Sequence, residues 1–329
     1  MAASPDPVRL AAEVTQGDRR ALARAITLAE STRPEDRAAA EALLGALLER
    51  TGKARRLGIS GAPGVGKSTF IEAFGLAAIA AGRRVAVLAV DPSSQRGGGA
   101  ILADKTRMPE LARNSAAFIR PSPAGRTLGG VARRTREAIW LAEAAGFDLI
   151  LVETVGVGQS ETAVADMVDL FLLLIGPGGG DDLQALKRGI VERADLVLVT
   201  KADGDLAPAA RRAAADYGHA LRLLRPGTAP EVRAISALEG RGIGELLALV
   251  EGHVAGLEAS GAFAERRAAQ ARAALWSEIG EGLIEALRAD AAVAARLPAL
   301  EAEVAARRLT PSAAARQALA AFLAPAQNG

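Results

Sequence analysis

Nine consecutive residues, Gly61-Ala62-Pro63-Gly64-Val65-Gly66-Lys67-Ser68-Thr69, carry glycines, a lysine and hydroxyls at the spacing G-x-x-x-x-G-K-[ST]. Glycines let successive backbone N–H groups turn inward around phosphate oxygens, and a helix beginning there adds its partial positive charge. Lys67 can then reach the β- and γ-phosphates and the Ser68 hydroxyl can ligate Mg²⁺. The flanks agree. Residues 57–60 read as a short buried strand and residues 68–81 as a helix, so the spacing predicts a nucleoside triphosphate site.

A second group of residues bears on the base. Thr200-Lys201-Ala202-Asp203 closes an apolar strand and resembles the [NT]KxD motif of GTPases. The Asp203 carboxylate can accept from guanine N1–H and the 2-amino group, a donor pair that adenine lacks. Lys201 would lie along the base, and Ser236-Ala237-Leu238 resembles the loop whose backbone N–H meets guanine O6. Most such motifs have Asn where this chain has Thr200, so weaker bracing of the local loop is expected, with base specificity left to Asp203.

Metal and water chemistry need further residues. Asp91 follows the strand 84–90 and Glu153 the strand 149–152, and ligands bind at such carboxyl ends in open α/β sheets. With Ser68 they offer hard oxygens to Mg²⁺. Gly156 would direct its N–H at the γ-phosphate. Asp104 and Arg107 are candidates for orienting water and stabilising charge, and Gln159 for positioning water, although all three also fit solvated loop charges.

These groups must be held at strand ends and helix starts. Seven apolar stretches (57–60, 84–90, 117–120, 149–153, 170–175, 196–200 and 232–235) are short, apolar on both faces and separated mostly by helical stretches. This predicts an α/β fold of the P-loop NTPase class, a mostly parallel sheet of about seven strands with helices on both faces. Helical N- and C-terminal extensions complete it, with boundaries at 1–52, 53–257 and 258–329. Leu22, Ile26 and Ala29 mark an N-terminal helix; Leu275, Ile279, Leu283 and Leu287 recur every fourth residue in the C-terminal part. A helix over 291–308 is expected to be interrupted near Pro298, and Thr310-Pro311 to open another. The C-terminal apolar faces suit either packing on the same chain or a dimer arm.

Composition narrows the class. The chain has 329 residues and a net charge of only +2, with basic residues scattered, which argues against nucleic acid. It has no cysteine and two histidines, leaving no disulfide and few transition-metal ligands. Its apolar runs are too short to cross a membrane, and a cytoplasmic location is expected.

Four blocks together (61–69, 91–108, 153–161 and 178–189) are similar to those of the MeaB family, also called ArgK and, in animals, MMAA. The resemblance spans essentially the whole chain. It implies a GTPase chaperone of adenosylcobalamin-dependent methylmalonyl-CoA mutase that uses GTP and Mg²⁺, gates cofactor loading and need not itself bind cobalamin. It implies Mg²⁺-site roles for Asp91, Asp104 and Glu153, and a switch loop in which Asp182 and Lys187 sense nucleotide and contact the mutase. Lys187 then joins Lys67, Asp104 and Arg107 as a catalytic candidate. It also implies a homodimer through the C-terminal helices. A P-loop kinase and a nickel metallochaperone GTPase are the alternatives; the guanine motif opposes the first and the residue counts the second.

Overall fold

Strands whose residues are apolar on both faces need cover on both sides, and the topology supplies it. The computed structural model describes residues 5–31, 33–90, 107–122, 128–154, 160–178 and 188–323. The strands are β1 (Arg55–Gly61), β2 (Val85–Val90), β3 (Ala117–Ser122), β4 (Leu149–Thr154), β5 (Leu170–Ile175), β6 (Leu196–Val199) and β7 (Glu231–Ala234). They form one seven-stranded sheet in the order β3-β2-β4-β1-β5-β6-β7, and all neighbours are parallel. From β1 the chain leaves toward β2 on one side, and after β4 it crosses to β5 on the other. The carboxyl end of β1 is therefore the crevice where such sheets bind ligands.

The helices are α1 (Pro7–Thr15), α2 (Arg19–Ala29), α3 (Pro34–Leu47), α4 (Lys67–Ala80), α5 (Pro109–Arg113), α6 (Leu128–Ala144) and α7 (Ser160–Ala165). They continue as α8 (Arg188–Val191), α9 (Ala207–Leu224), α10 (Ile243–Ala259), α11 (Ala262–Ala289), α12 (Ala291–Ala305) and α13 (Pro311–Leu323).

Alternation along the strands divides the core. Leu57, Ile59, Val87 and Leu151 join Phe70 and Phe74 of α4 and Leu246 and Val250 of α10 on one face. Leu88, Ile150, Val152 and Phe171 face the other side, with Leu10 of α1, Leu22 and Ile26 of α2, Leu43 of α3 and Ile139 of α6. The N-terminal helices thus share a core with the sheet. A third cluster joins Val197 and Val199 of β6 to Tyr217 and Leu221 of α9. Each fully buried aliphatic or aromatic side chain contributes about 1.5–3 kcal/mol, so both layers matter to stability.

Residues 1–270 and 271–329 make two compact units. In the second, α12 and α13 pack together, with Val293, Ala314 and Ala318 buried. Helix α12 runs through Pro298 without the expected interruption. The proline gives up one main-chain bond, and the alanine- and leucine-rich turns around it hold the helix.

Candidate functional site

Strand β1 ends and α4 begins within six residues, so the intervening turn must bend sharply. Gly61 makes the bend at φ +155°, where a Cβ would lie 2.4 Å from the Leu174 carbonyl oxygen; no other residue fits. Gly66 precedes α4 at φ +98° with no side-chain cap, leaving the first-turn N–H groups available for an anion. Lys67 is 8 % exposed. Its Nζ donates to the Gly61 carbonyl at 2.8 Å and the Ala62 carbonyl at 3.2 Å. Burial pulls its ammonium below the usual lysine range; the Glu153 and Glu161 carboxylates oppose this and Arg107 adds to it. Lys67 therefore sits in the field of two carboxylates and an arginine.

Glu153 is buried at the end of β4, in register with Ile59 of β1. Next to it the Thr154 hydroxyl donates to Ser60 Oγ at 3.0 Å, both residues buried. Ser68 lies in the first turn of α4. These hard oxygens beside a phosphate loop fit Mg²⁺, which keeps waters and takes few protein ligands. Among the described residues no three acidic, histidine or cysteine side chains converge. Asp91, Asp104, Gly156, Gln159, Asp182 and Lys187 lie outside the described residues.

On the other side of β1, the segment after β6 rests on the phosphate loop. Thr200 is 2 % exposed. Its hydroxyl donates to the Val65 carbonyl at 2.6 Å and approaches the Ile175 carbonyl at 3.2 Å. At the position where an asparagine amide is more usual, the Thr200 hydroxyl thus supplies a brace from the end of β6 to the phosphate loop. Lys201 follows at φ +56°. Asp203 Oδ2 accepts from Ser236 Oγ at 2.6 Å, and Ser236 Oγ in turn accepts from Glu239 N at 3.1 Å. Ala202 N donates to Ile235 O at 3.0 Å, so residues 200–203 and 235–239 form one knitted platform. Ala237 is half-buried and Leu238 is 78 % exposed.

The structure thus brings Gly61–Thr69, Glu153 and Arg107 together, with Lys201, Asp203 and Ser236 joined to them through Thr200. Sequence reasoning gave no role to Glu161, a buried first-turn residue of α7; its only signal was an acid eight residues after Glu153.

A family model described as "Methylmalonyl Co-A mutase-associated GTPase MeaB" matches residues 22–292. The chain belongs to the MeaB family. A Caulobacter vibrioides protein is 54 % identical over 93 % of this chain and 94 % of its own. The mouse (Mus musculus) protein "Methylmalonic aciduria type A homolog, mitochondrial" is 48 % identical over 95 % of this chain and 79 % of its own. A crystal structure titled "LAO/AO transport system kinase" has a TM-score of 0.75 and 38 % identity, covering 97 % of this chain and 98 % of that one. As a MeaB-family member with a P-loop NTPase fold, the chain is a GTPase.

Proposed function

We propose that this GTPase is a Mg²⁺-dependent switch and a chaperone of adenosylcobalamin-dependent methylmalonyl-CoA mutase, gating cofactor loading and protecting or reactivating the mutase. The observation that carries this is the family match, whose description couples the GTPase to that mutase. In this reading Lys67 leaves the Gly61 and Ala62 carbonyls for the β- and γ-phosphates. Its burial strengthens that contact by excluding water. Asp203, oriented by Ser236, reads guanine beside Lys201 and the Ser236–Leu238 backbone. Ser68 and Glu153, with Asp91 and Asp104, hold Mg²⁺, which when bound neutralises phosphate charge. Asp104, Arg107 and Lys187 orient water and balance the charge that develops. Water oxygen bonds to the γ-phosphorus as the bond to the bridging β-γ oxygen breaks, giving GDP and phosphate.

Gly156, Gln159, Asp182 and Lys187 would change position when the γ-phosphate is lost, and the mutase would read that change. For the nucleotide to matter, the mutase must bind one nucleotide state more tightly than the other. Direct contact with cobalamin is not required. We further assign a homodimer through α11–α13 and a cytoplasmic location. The cysteine-free sequence and the lack, among the described residues, of any helix able to cross a membrane support that location.

The test is a pull-down from the source cell with the full chain in GDP or a non-hydrolysable GTP analogue. An acyl-CoA mutase retained in one state more than the other is the expected result. No mutase in either state overturns the chaperone reading while leaving GTP hydrolysis intact. Label from γ-labelled GTP on an acceptor, rather than in free phosphate, would favour a kinase.

A further inference from the structure

We infer that Glu72 is a positioning residue for GTP hydrolysis: from the helix that carries Lys67, it fixes the start of α5 and, with it, Arg107. This rests on the reading of Arg107 as a residue that balances the charge developing on the phosphates. Helix α5 cannot cap itself. Its N-cap is Met108, whose side chain has no oxygen to offer the first-turn donors. Pro109 has no N–H, so the first donors in need of a partner are those of Glu110 and Leu111. Glu72 Oε1 accepts from both, at 2.8 and 3.4 Å. The cap thus comes from α4, 38 residues earlier in the sequence.

Packing joins the same two helices. Glu72 and Gly75 are three residues apart and share one side of α4. A Cβ at Gly75 would lie 3.0 Å from Leu111 Cδ2 and 3.1 Å from Cδ1, so α5 sits as close to α4 as a glycine allows. Met108 and Leu111 are fully buried in the cluster that holds Phe70, Ile71 and Phe74 of α4. Arg107 is exposed; burial does not orient it, and the anchored backbone from Met108 to Leu111 does. After burial, the Arg107 charge also pulls the Lys67 ammonium below the usual lysine range, which sets the guanidinium on the phosphate-loop side. Lys67 and Glu72 are five residues apart on one helix, about 7.5 Å along its axis. One element therefore sets the spacing between the lysine and the arginine. A misplacement of about 1 Å at such a group can cost about a hundredfold in rate.

Single-turnover GTP hydrolysis, GDP affinity and melting temperature are measured on the full chain. The variants are Glu72→Ala, Glu72→Gln, Arg107→Ala and the double variant Glu72→Ala, Arg107→Ala, beside the wild type. Losing a cap costs about 1 kcal/mol, and water can reach the exposed Glu110 N–H, so Glu72→Ala still folds. A residue that only caps would lower the melting temperature and leave the rate of the folded chain unchanged. The expected result is hydrolysis about tenfold slower in Glu72→Ala, with GDP affinity kept. Glu72→Gln, which retains the accepting oxygen, should hydrolyse near the wild-type rate. The double variant should be no slower than Arg107→Ala, because a residue acting through Arg107 then has nothing left to position. A wild-type rate in Glu72→Ala, no rescue by Glu72→Gln, a further loss in the double variant or a parallel loss of GDP affinity would overturn the inference. A wild-type rate in Arg107→Ala would instead remove the reading of Arg107, and this inference with it.

Discussion

The Thr200 hydroxyl has a single proton and two carbonyls within reach, Val65 at 2.6 Å and Ile175 at 3.2 Å. The shorter contact holds the proton. A trans peptide is planar, so fixing the Val65 C=O toward β6 turns the Gly66 N–H the opposite way, into the phosphate loop. Thr200 thereby links the segment that reads the base to the loop that reads the phosphates. Thr200→Val keeps the shape and loses the donor. An unmet buried carbonyl costs about 1–3 kcal/mol, so GDP affinity by fluorescence titration should fall about tenfold, and Thr200→Ser should restore it. Wild-type affinity in Thr200→Val would refute the link. The loop itself was legible in the sequence because its spacing is fixed by phosphate geometry. The tie was not, because motif logic looks for an amide there, and one hydroxyl 135 residues away from Val65 in sequence leaves no local signal.

Elements were legible to the extent that their pattern is local. Runs such as Leu170–Ile175 can only be doubly covered strands, and the all-parallel sheet follows from their alternation with helices. What ties elements together was hidden, because ion pairs such as Arg56–Glu143 join residues 87 apart. Helix α10 is another case. Glu251 accepts from Arg83 Nη2 at 2.7 Å, just before β2, and from Arg55 Nη1 at 3.1 Å, at the start of β1. The Arg83 hydrogen bond, then the charges of Arg83 and Arg55, hold its carboxyl below the usual value of 4.5. A carboxylate with a depressed folded pKa adds stability that is present above its unfolded value and lost as pH falls through the folded one. Since the side chain is 38 % exposed, solvent screens the clamp, which is worth less than about 1 kcal/mol. Glu251→Gln should therefore melt slightly below wild type at pH 7, and the two curves should converge as pH drops under 4.5. A gap that widens in acid would contradict the clamp.

At the scale of the whole molecule, the most conspicuous apolar surface lies on the second unit. Leu275, Trp276 and Leu283 of α11 are 59 %, 72 % and 57 % exposed, and Leu323 of α13 is 75 % exposed. Isolated exposed leucines need no explanation, but a helix that repeats them along one side with a tryptophan is a face awaiting a partner. A second copy is the simplest occupant, because a two-fold contact lets the same stripe cover itself. The proposed homodimer then predicts that the full chain sediments at twice its 33.7 kDa mass at micromolar concentration. The double variant Trp276→Asp, Leu283→Asp should sediment as a monomer, since each side would bring buried, unpaired carboxylates to the contact. Guanine nucleotide affinity should hold in that variant, because every proposed nucleotide contact lies within residues 1–270 and both substitutions lie outside it. A monomeric wild type, or a variant that keeps the dimer mass, would remove the dimer from the reading and leave the GTPase untouched.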